Sequence, residues 1–414
     1  MSKTNKKKKK GAASAAPSSP TSISPSSASA SASASASSSA SSSVSSTFTT
    51  TKSSQFYSLD AILATNAQYN IVIGERSNGK TFAALEYGLR NYIRTGKQMA
   101  YVRRWKEDYR GKRGENLFSA LADSGKISEL TQGTWTQTRY YSGKWHLARF
   151  DSDLDKLVYD DEPFCYGFSI SDQEHDKSSS FPKITTIIFD EFMTRAYYLQ
   201  NEFVLFTNVL STIIRHRADV KIFMLANTVN KYCPYFAEMG LKHVTEMEQG
   251  SIDVYTYGSS SLKVAVEYCK PSTKGKESDV YFTFDNPALQ MITGGAWEID
   301  MYPHLPRRYT RSQVVFNFYI VFDDQCLDCD VVSLPDCSFI YVHQKTTPIK
   351  DETTALIYSD RYSPLPNHIR NLRKPVNRVT KSIAEYFRND RVYYQDNEVG
   401  EIVRNYLIVC SQMK

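Results

Sequence analysis

Beyond residue 55 the chain alternates short apolar runs with amphipathic stretches. Residues 69–73 form an apolar, β-branched run of strand length. Phe82, Leu85, Leu89, Tyr92 and Ile93 follow at helical spacing, and Gly96 is placed to cap that helix. Residues 98–102 read as a second strand, and 140–147 as a hairpin turning at Ser142-Gly143. Another short strand is expected at 164–170. The run from Ile184 to Phe189 is continuously apolar or β-branched, the mark of a parallel strand buried on both faces. A helix is expected over 198–217, with Phe203, Phe206, Leu210, Ile213 and Ile214 on one side, and an apolar strand over 221–226. Strands alternating with helices predict an α/β fold with a parallel sheet covered on both faces.

The pattern changes beyond residue 240. Residues 241–305 are mixed, with a loop at 270–276, Gly294-Gly295 and Pro303 to Pro306, and read as a linker or lid. From 306 a second α/β domain is expected: strands at 314–322, 327–333 and 339–343 in a meander, then helices near 375–389 and 397–410. Residues 1–54 are a lysine cluster followed by Ser/Ala/Pro/Thr sequence. They hold too little apolar surface to offset the entropy of ordering, so a disordered tail is expected. The first domain is thus expected over 55–240.

Composition changes this picture little. The net charge of +6 comes from the tail, which carries seven lysines and no acid; the rest holds 43 basic against 44 acidic residues. Only local patches, not overall charge, can therefore argue for nucleic acid. The tail lysines suit either nucleic-acid contact or plain solvation. Seven irregularly spaced cysteines fit a reducing compartment. The N-terminus lacks the apolar core of a signal peptide, and no run approaches the ~20 apolar residues of a membrane span, so a soluble intracellular protein is expected.

The chemistry concentrates at strand ends. After the first strand comes Gly74-Glu75-Arg76-Ser77-Asn78-Gly79-Lys80-Thr81, a Gly-x-x-x-x-Gly-Lys-Thr loop between strand and helix. Gly74 and Gly79 let the backbone wrap phosphate oxygens, and its N–H groups with the helix start present positive potential. Lys80 would reach the β- and γ-phosphates and Thr81 would ligate Mg²⁺. The run ending at Phe189 leads into Asp190 and Glu191. Asp190 fits the Mg²⁺-holding Walker B carboxylate, and Glu191 the group that orients or deprotonates the attacking water. Asn227, at the end of the 221–226 strand, suits either a γ-phosphate contact or a plain turn.

Arg103, Arg104, Lys106 and Arg110, with Lys112 and Arg113, leave the second strand with Trp105 and Tyr109 interleaved. They suit a phosphate-backbone track, a reach toward a neighbour's nucleotide, or a solvated helix. Cys326-x-x-Cys329 with Cys337 and His343 has zinc-site residue types, but strand-like flanks and a loosely spaced fourth ligand make buried structural cysteines the better reading.

Ile71-Val72-Ile73-Gly74 with Gly79-Lys80, Tyr101-Val102-Arg103-Arg104, Thr186-Ile187-Ile188-Phe189-Asp190-Glu191-Phe192, and Leu225-Ala226-Asn227 with Pro234-Tyr235-Phe236 occur in this order. Together they resemble the DNA packaging (encapsidation) ATPases of phi29-like small podoviruses, over roughly residues 56–414. The resemblance implies a RecA-like, additional-strand catalytic-glutamate P-loop NTPase that uses ATP and Mg²⁺. It implies a homo-oligomeric ring, a pentamer, that docks on the portal (connector) of the prohead and drives double-stranded DNA inward. Some members also need a prohead RNA. The site of action would be the cytoplasm of the infected host, with no membrane partner and no place in the mature virion. The family's trans-acting arginine falls on Arg215, with Arg217 as runner-up. The family's C-terminal domain resembles an RNase H-like nuclease that has lost its metal ligands, and the first strand here, 313–322, carries no acid. Alternatives are a plasmid or chromosome DNA pump, a small-molecule kinase, or a P-loop switch without turnover; Glu191 beside Asp190 argues against the last.

Overall fold

The computed structural model describes residues 21–22, 57–172, 180–195, 198–228, 230–258, 260–270, 297 and 300–413. Apolar runs too short for helices pair into two sheets, and the larger has eleven strands. Its strands are β1 (Thr21–Ser22), β2 (Tyr69–Gly74), β3 (Gln98–Arg103), β4 (Gln137–Tyr141), β5 (Lys144–Asp151), β6 (Lys156–Tyr159), β7 (Cys165–Ser169), β8 (Ile184–Asp190), β9 (Lys221–Asn227), β10 (Ile252–Thr256) and β11 (Lys263–Tyr268). The order is β1-β10-β11-β2-β9-β8-β3-β7-β5-β4, with β6 beside β5. From β11 to β7 all neighbours are parallel. β9 lies between β2, which leads into the glycine-rich loop, and the acidic strand β8, the order expected of an additional-strand P-loop fold.

Burial on both faces explains the unbroken apolar runs. All seven residues of β8 are buried. Side chains alternate across each strand. Ile71 and Ile73 join one cluster with Phe206, Leu210 and Ile213 of helix α6 (Glu202–Ile214), while Val72 joins the other with Ile62 of α1 (Asp60–Ala64) and Leu85 and Leu89 of α2 (Lys80–Thr95). Gly96, at φ 69°, caps α2 in the left-handed conformation expected of it. The hairpin forms as expected, with Ser142 at φ 49° and Gly143 at φ 77°. Between β3 and β4 lie three short helices, α3 (Lys112–Asn116), α4 (Ser119–Asp123) and α5 (Lys126–Leu130), which pack Phe118 and Ile127 into the second cluster.

Several boundaries differ from expectation. β11 is the parallel neighbour of β2, and β10 pairs beside it, so the boundary expected at 240 falls inside the first sheet. A short strand that completes a sheet from 200 residues away carries no local mark of its partner. α6 is shorter than expected, starting at Glu202 and ending at Ile214. Within the expected tail, Thr21–Ser22 pair with Thr256 and Tyr255. Edge pairing uses backbone N–H and C=O groups and needs no apolar side chain. The rest of residues 1–54, Gly294-Gly295 and 271–276 of the expected linker loop lie outside the described residues.

The second sheet has six strands: β12 (Val314–Phe322), β13 (Gln325–Ser333), β14 (Ser338–Gln344), β15 (Ile357–Ser359), β16 (His368–Ile369) and β17 (Val392–Tyr394), in the order β16-β15-β12-β13-β14-β17. β12–β13–β14 form the expected antiparallel meander, and β15, β16 and β17 add in parallel. After the short α7 (Pro234–Glu238) come α8 (Arg378–Arg388) and α9 (Asn397–Gln412), both N-capped by side chains, from Asn377 and Asp396. Among the described residues the cysteines form no metal-ligand group, and the preferred reading of buried structural cysteines holds for only one of the three. Cys329 is in the core, Cys326 is half-buried and Cys337 exposed.

α9 also meets the first domain. Asn230 and Asn405, both buried, exchange amide hydrogen bonds of 2.8 and 3.2 Å. Lys231 pairs with Glu398 at 2.7 Å, and Arg404 Nη2 donates to the Arg195 carbonyl at 3.2 Å. Among the described residues no helix is long and apolar enough to cross a membrane.

Candidate active site

A cleft of about 440 Å³ opens at the carboxyl ends of β2, β8 and β9, lined by Arg76 to Phe82, Asp190, Glu191, Ala226 and Asn227. Open parallel sheets bind ligands at this edge because the strand ends and helix starts converge there. The loop needs its glycines. A Cβ on Gly74 would sit 2.8 Å from the Cys269 Cβ, and Gly79 caps α2 at φ 95°. Ser77 also has a positive φ, 60°. The buried Lys80 ammonium donates to the Glu75 carbonyl at 2.6 Å and to Asn78 Oδ1 at 3.1 Å, and lies 3.4 Å from Asn227 Oδ1. Asn227 thus meets Lys80 within the same cleft. Burial draws the Lys80 pKa down, opposed by nearby Asp190 and Glu75.

Thr81 Oγ1 lies 3.2 Å from both Asp190 carboxylate oxygens. Asp190 also accepts from Tyr101 OH at 3.0 Å and from the Glu191 N–H at 3.1 Å. Burial pushes the Asp190 carboxyl above its usual range, opposed by the Arg103 guanidinium. A hydroxyl facing a carboxylate is a hard oxygen donor set that suits Mg²⁺, and a bound divalent cation would reverse that shift.

Glu191 has φ 54°, uncommon for a residue with a Cβ. Its half-exposed side chain pairs with Arg103 Nη2 at 2.5 Å. Arg103 also lies 3.8 Å from Asp190 and 3.4 Å from Asp108. Arg103 and Arg104 are therefore not a nucleic-acid track. β3 borders β8, and continuing its alternation points Arg103 with Tyr101 toward the two acids. Arg104 is 6% exposed and bonds Glu202 through two nitrogens. Of the basic cluster, Lys106 pairs with Asp172 while Arg110, Lys112 and Arg113 are exposed. Tyr101 was not anticipated from sequence. A tyrosine two residues before a strand-end arginine is the signal that was available.

The two arginines after α6 differ. The Arg217 guanidinium donates to the carbonyls of Pro182, Phe181 and Ile213 at 3.1, 3.3 and 2.9 Å. Arg215 is exposed at the helix end, with φ 52°. Neither lines the cleft.

Comparison with known proteins adds the family and the fold. The chain is 30% identical over 186 residues to DNA packaging proteins of Bacillus phage PZA and Bacillus phage phi29, a match that covers 44% of this chain and 49% of each relative. The chain thus matches about half the length of these curated relatives. Its fold is similar to that of a chain in the bacteriophage Phi-29 viral genome packaging motor assembly, with TM-score 0.51 and 21% identity, covering 85% of this chain and 97% of that one. It is also similar to a chain of the Phi-28 gp11 DNA packaging motor, with TM-score 0.50 and 18% identity, covering 87% of this chain and 99% of that one. The family model described as Podovirus DNA encapsidation protein (Gp16) matches residues 51–141 and 154–404, well over half of the sequence, and the chain belongs to that family.

Proposed function

We propose that this protein is an ATP-hydrolysing motor that drives double-stranded viral DNA into a preformed capsid. The observation that carries the reading is the convergence of Lys80, Thr81, Asp190, Glu191 and Asn227 on one cleft in a member of this family. ATP would sit with its phosphates on residues 74–81. Lys80 would exchange its carbonyl contacts for the β- and γ-phosphates. Thr81 and Asp190 would hold Mg²⁺, which supplies charge neutralisation at the phosphates. Glu191 would orient the attacking water and take its proton, for which its carboxylate must leave Arg103. Arg103→Ala is accordingly expected to raise DNA-independent ATP turnover a few-fold. A fall to the level of Glu191→Gln would mean that the guanidinium serves the transition state instead.

The motor would act as a homo-oligomeric ring, a pentamer, on the prohead portal in the host cytoplasm, with a prohead RNA as a further candidate partner. Arg110 and its exposed basic neighbours are the remaining DNA candidates in the 103–113 segment. The decisive measurement is ATPase rate with double-stranded DNA and purified proheads, each alone and together, with nuclease-protected DNA as the second readout. Turnover and protection that need both support the reading. DNA-stimulated turnover indifferent to proheads would point to a capsid-independent pump.

We read the second domain as RNase H-like and without nuclease activity. A meander followed by parallel β15 and β16 suits that ancestry, and β12 carries no acid. Asp328, Asp330 and His343 come together on the meander, the only such grouping of potential metal ligands among the described residues. Their carboxylates are already engaged. Asn317 donates to both, Tyr309 OH donates to Asp330, and Arg311 and Lys345 lie 3.5 and 3.6 Å away. The full chain is expected to leave plasmid DNA intact with Mg²⁺ or Mn²⁺. Cleavage abolished by Asp330→Asn, or by Asp323→Asn or Asp324→Asn in the turn between β12 and β13, would overturn this.

A further inference from the structure

Resting on the ATPase reading above, we infer that the buried Arg104–Glu202 pair is a positioning device for Glu191, setting the backbone from which the catalytic carboxylate projects. Arg104 follows β3 and is 6% exposed; Glu202 opens α6 and is 2% exposed. Arg104 Nε and Nη2 each reach a Glu202 oxygen at 2.8 Å. The same guanidinium then donates to two successive carbonyls beyond Asp190: Nη1 to Glu191 O at 3.3 Å and Nη2 to Phe192 O at 2.7 Å. A planar fork that matches a carboxylate on one edge and two peptide oxygens on another is specific to arginine.

The pinned segment needs such a hold. Glu191 sits in the left-handed region, a conformation that persists with a Cβ only where its surroundings over-determine it. Its N–H is tied to Asp190 Oδ1 at 3.1 Å, and the next N–H, of Phe192, to the Leu225 carbonyl at 3.3 Å. Arg104 supplies the remaining restraints, on the carbonyl side. Glu202 is itself fixed by Tyr235 OH at 2.9 Å and by the Leu199 N–H at 2.7 Å. Tyr235 lies on α7, beyond β9, so the hold draws on elements that follow both β8 and β9. The Glu191 carboxylate makes no contact with Arg104 or Glu202. Their influence on the reaction therefore runs through the backbone.

A buried ion pair can be structural only, so the test must separate the two roles. Removing Arg104 alone would strand the buried Glu202 charge and endanger folding. The variant of choice is Arg104→Met with Glu202→Gln, which removes both charges. Arg104→Lys is the second variant, keeping the charge without the fork. For both, the expected result is a loss of about 10²-fold in kcat, the scale set by misplacing a reacting group by about 1 Å. ATP affinity should stay within about threefold, since residues 74–81 are not touched. In a Glu191→Gln background the same substitutions should cost nothing further, because the group they position is gone. Hydrogen exchange at residues 192–194 should rise in both variants. Wild-type kcat, ATP affinity falling in parallel with kcat, an equal further loss in the Glu191→Gln background, or unchanged exchange at 192–194 would each overturn the assignment. A wild-type protein without ATP turnover would refute the ATPase reading separately, while the exchange measurement still tests Arg104's hold on the segment.

Discussion

Glu191→Gln is expected to bind ATP as the wild type does and to lose about 10²-fold or more in turnover. The amide keeps the size of the side chain but cannot take the proton of the attacking water. It also weakens the pairing with Arg103, which lies 2.5 Å away, so nucleotide affinity should not fall through that contact. Lys80→Ala is expected to behave differently. Its ammonium is held by the Glu75 carbonyl and Asn78 within the loop itself, and its loss removes the group that would grip the β- and γ-phosphates. Binding and turnover should fall together. Fluorescent-nucleotide titration beside steady-state ATPase separates the two variants. Normal turnover in Glu191→Gln would withdraw the catalytic assignment, and normal ATP affinity in Lys80→Ala would withdraw the phosphate assignment.

Arg215→Ala is expected to abolish turnover in a ring whose subunits each retain an intact cleft of their own. Arg215 is exposed at the end of α6 and does not line the cleft of its own subunit. Arg217, the other candidate, has its guanidinium on three backbone carbonyls and would have to give these up to act elsewhere. An arginine supplied in trans stabilises charge on the γ-phosphoryl group and is worth about 10³–10⁵ in rate. The expected outcome of mixing Arg215→Ala with Glu191→Gln subunits is partial recovery of ATPase. Some interfaces would then pair an intact Glu191 with an intact neighbouring Arg215. A mixture that stays inactive while both variants assemble and bind ATP would refute action in trans. Full activity of Arg215→Ala alone would pass the role to Arg217 or to a base of the 103–113 segment.

Much of the site was legible because its chemistry is local. A phosphate loop is one contiguous turn with fixed needs for glycine, lysine and threonine, so Gly74 to Thr81 could be read without a fold. The run ending in Asp190 and Glu191 was legible for a related reason. A strand buried on both faces must be apolar throughout, which makes two acids at its end conspicuous. The meander at β12–β14 and the helices α8 and α9 followed from periodicity.

What remained hidden depended on neighbours distant in sequence. Arg103 and Arg104 look alike in a basic run. Only the adjacency of β3 to β8, whose paired residues are nearly 90 positions apart, turns one toward Glu191 and buries the other against Glu202. β11 completes the first sheet from a stretch that reads as linker, because its pairing partner β2 lies nearly 200 residues earlier. Residue type and short-range spacing were enough for the glycine-rich loop at Gly74 to Thr81, the acidic strand end and the α/β class. Only the folded chain shows which arginine meets Glu191, that β11 belongs to the first sheet and how α9 reaches Asn230. Those outcomes are set by strand order and by the burial of charge, and neither is encoded in any local window.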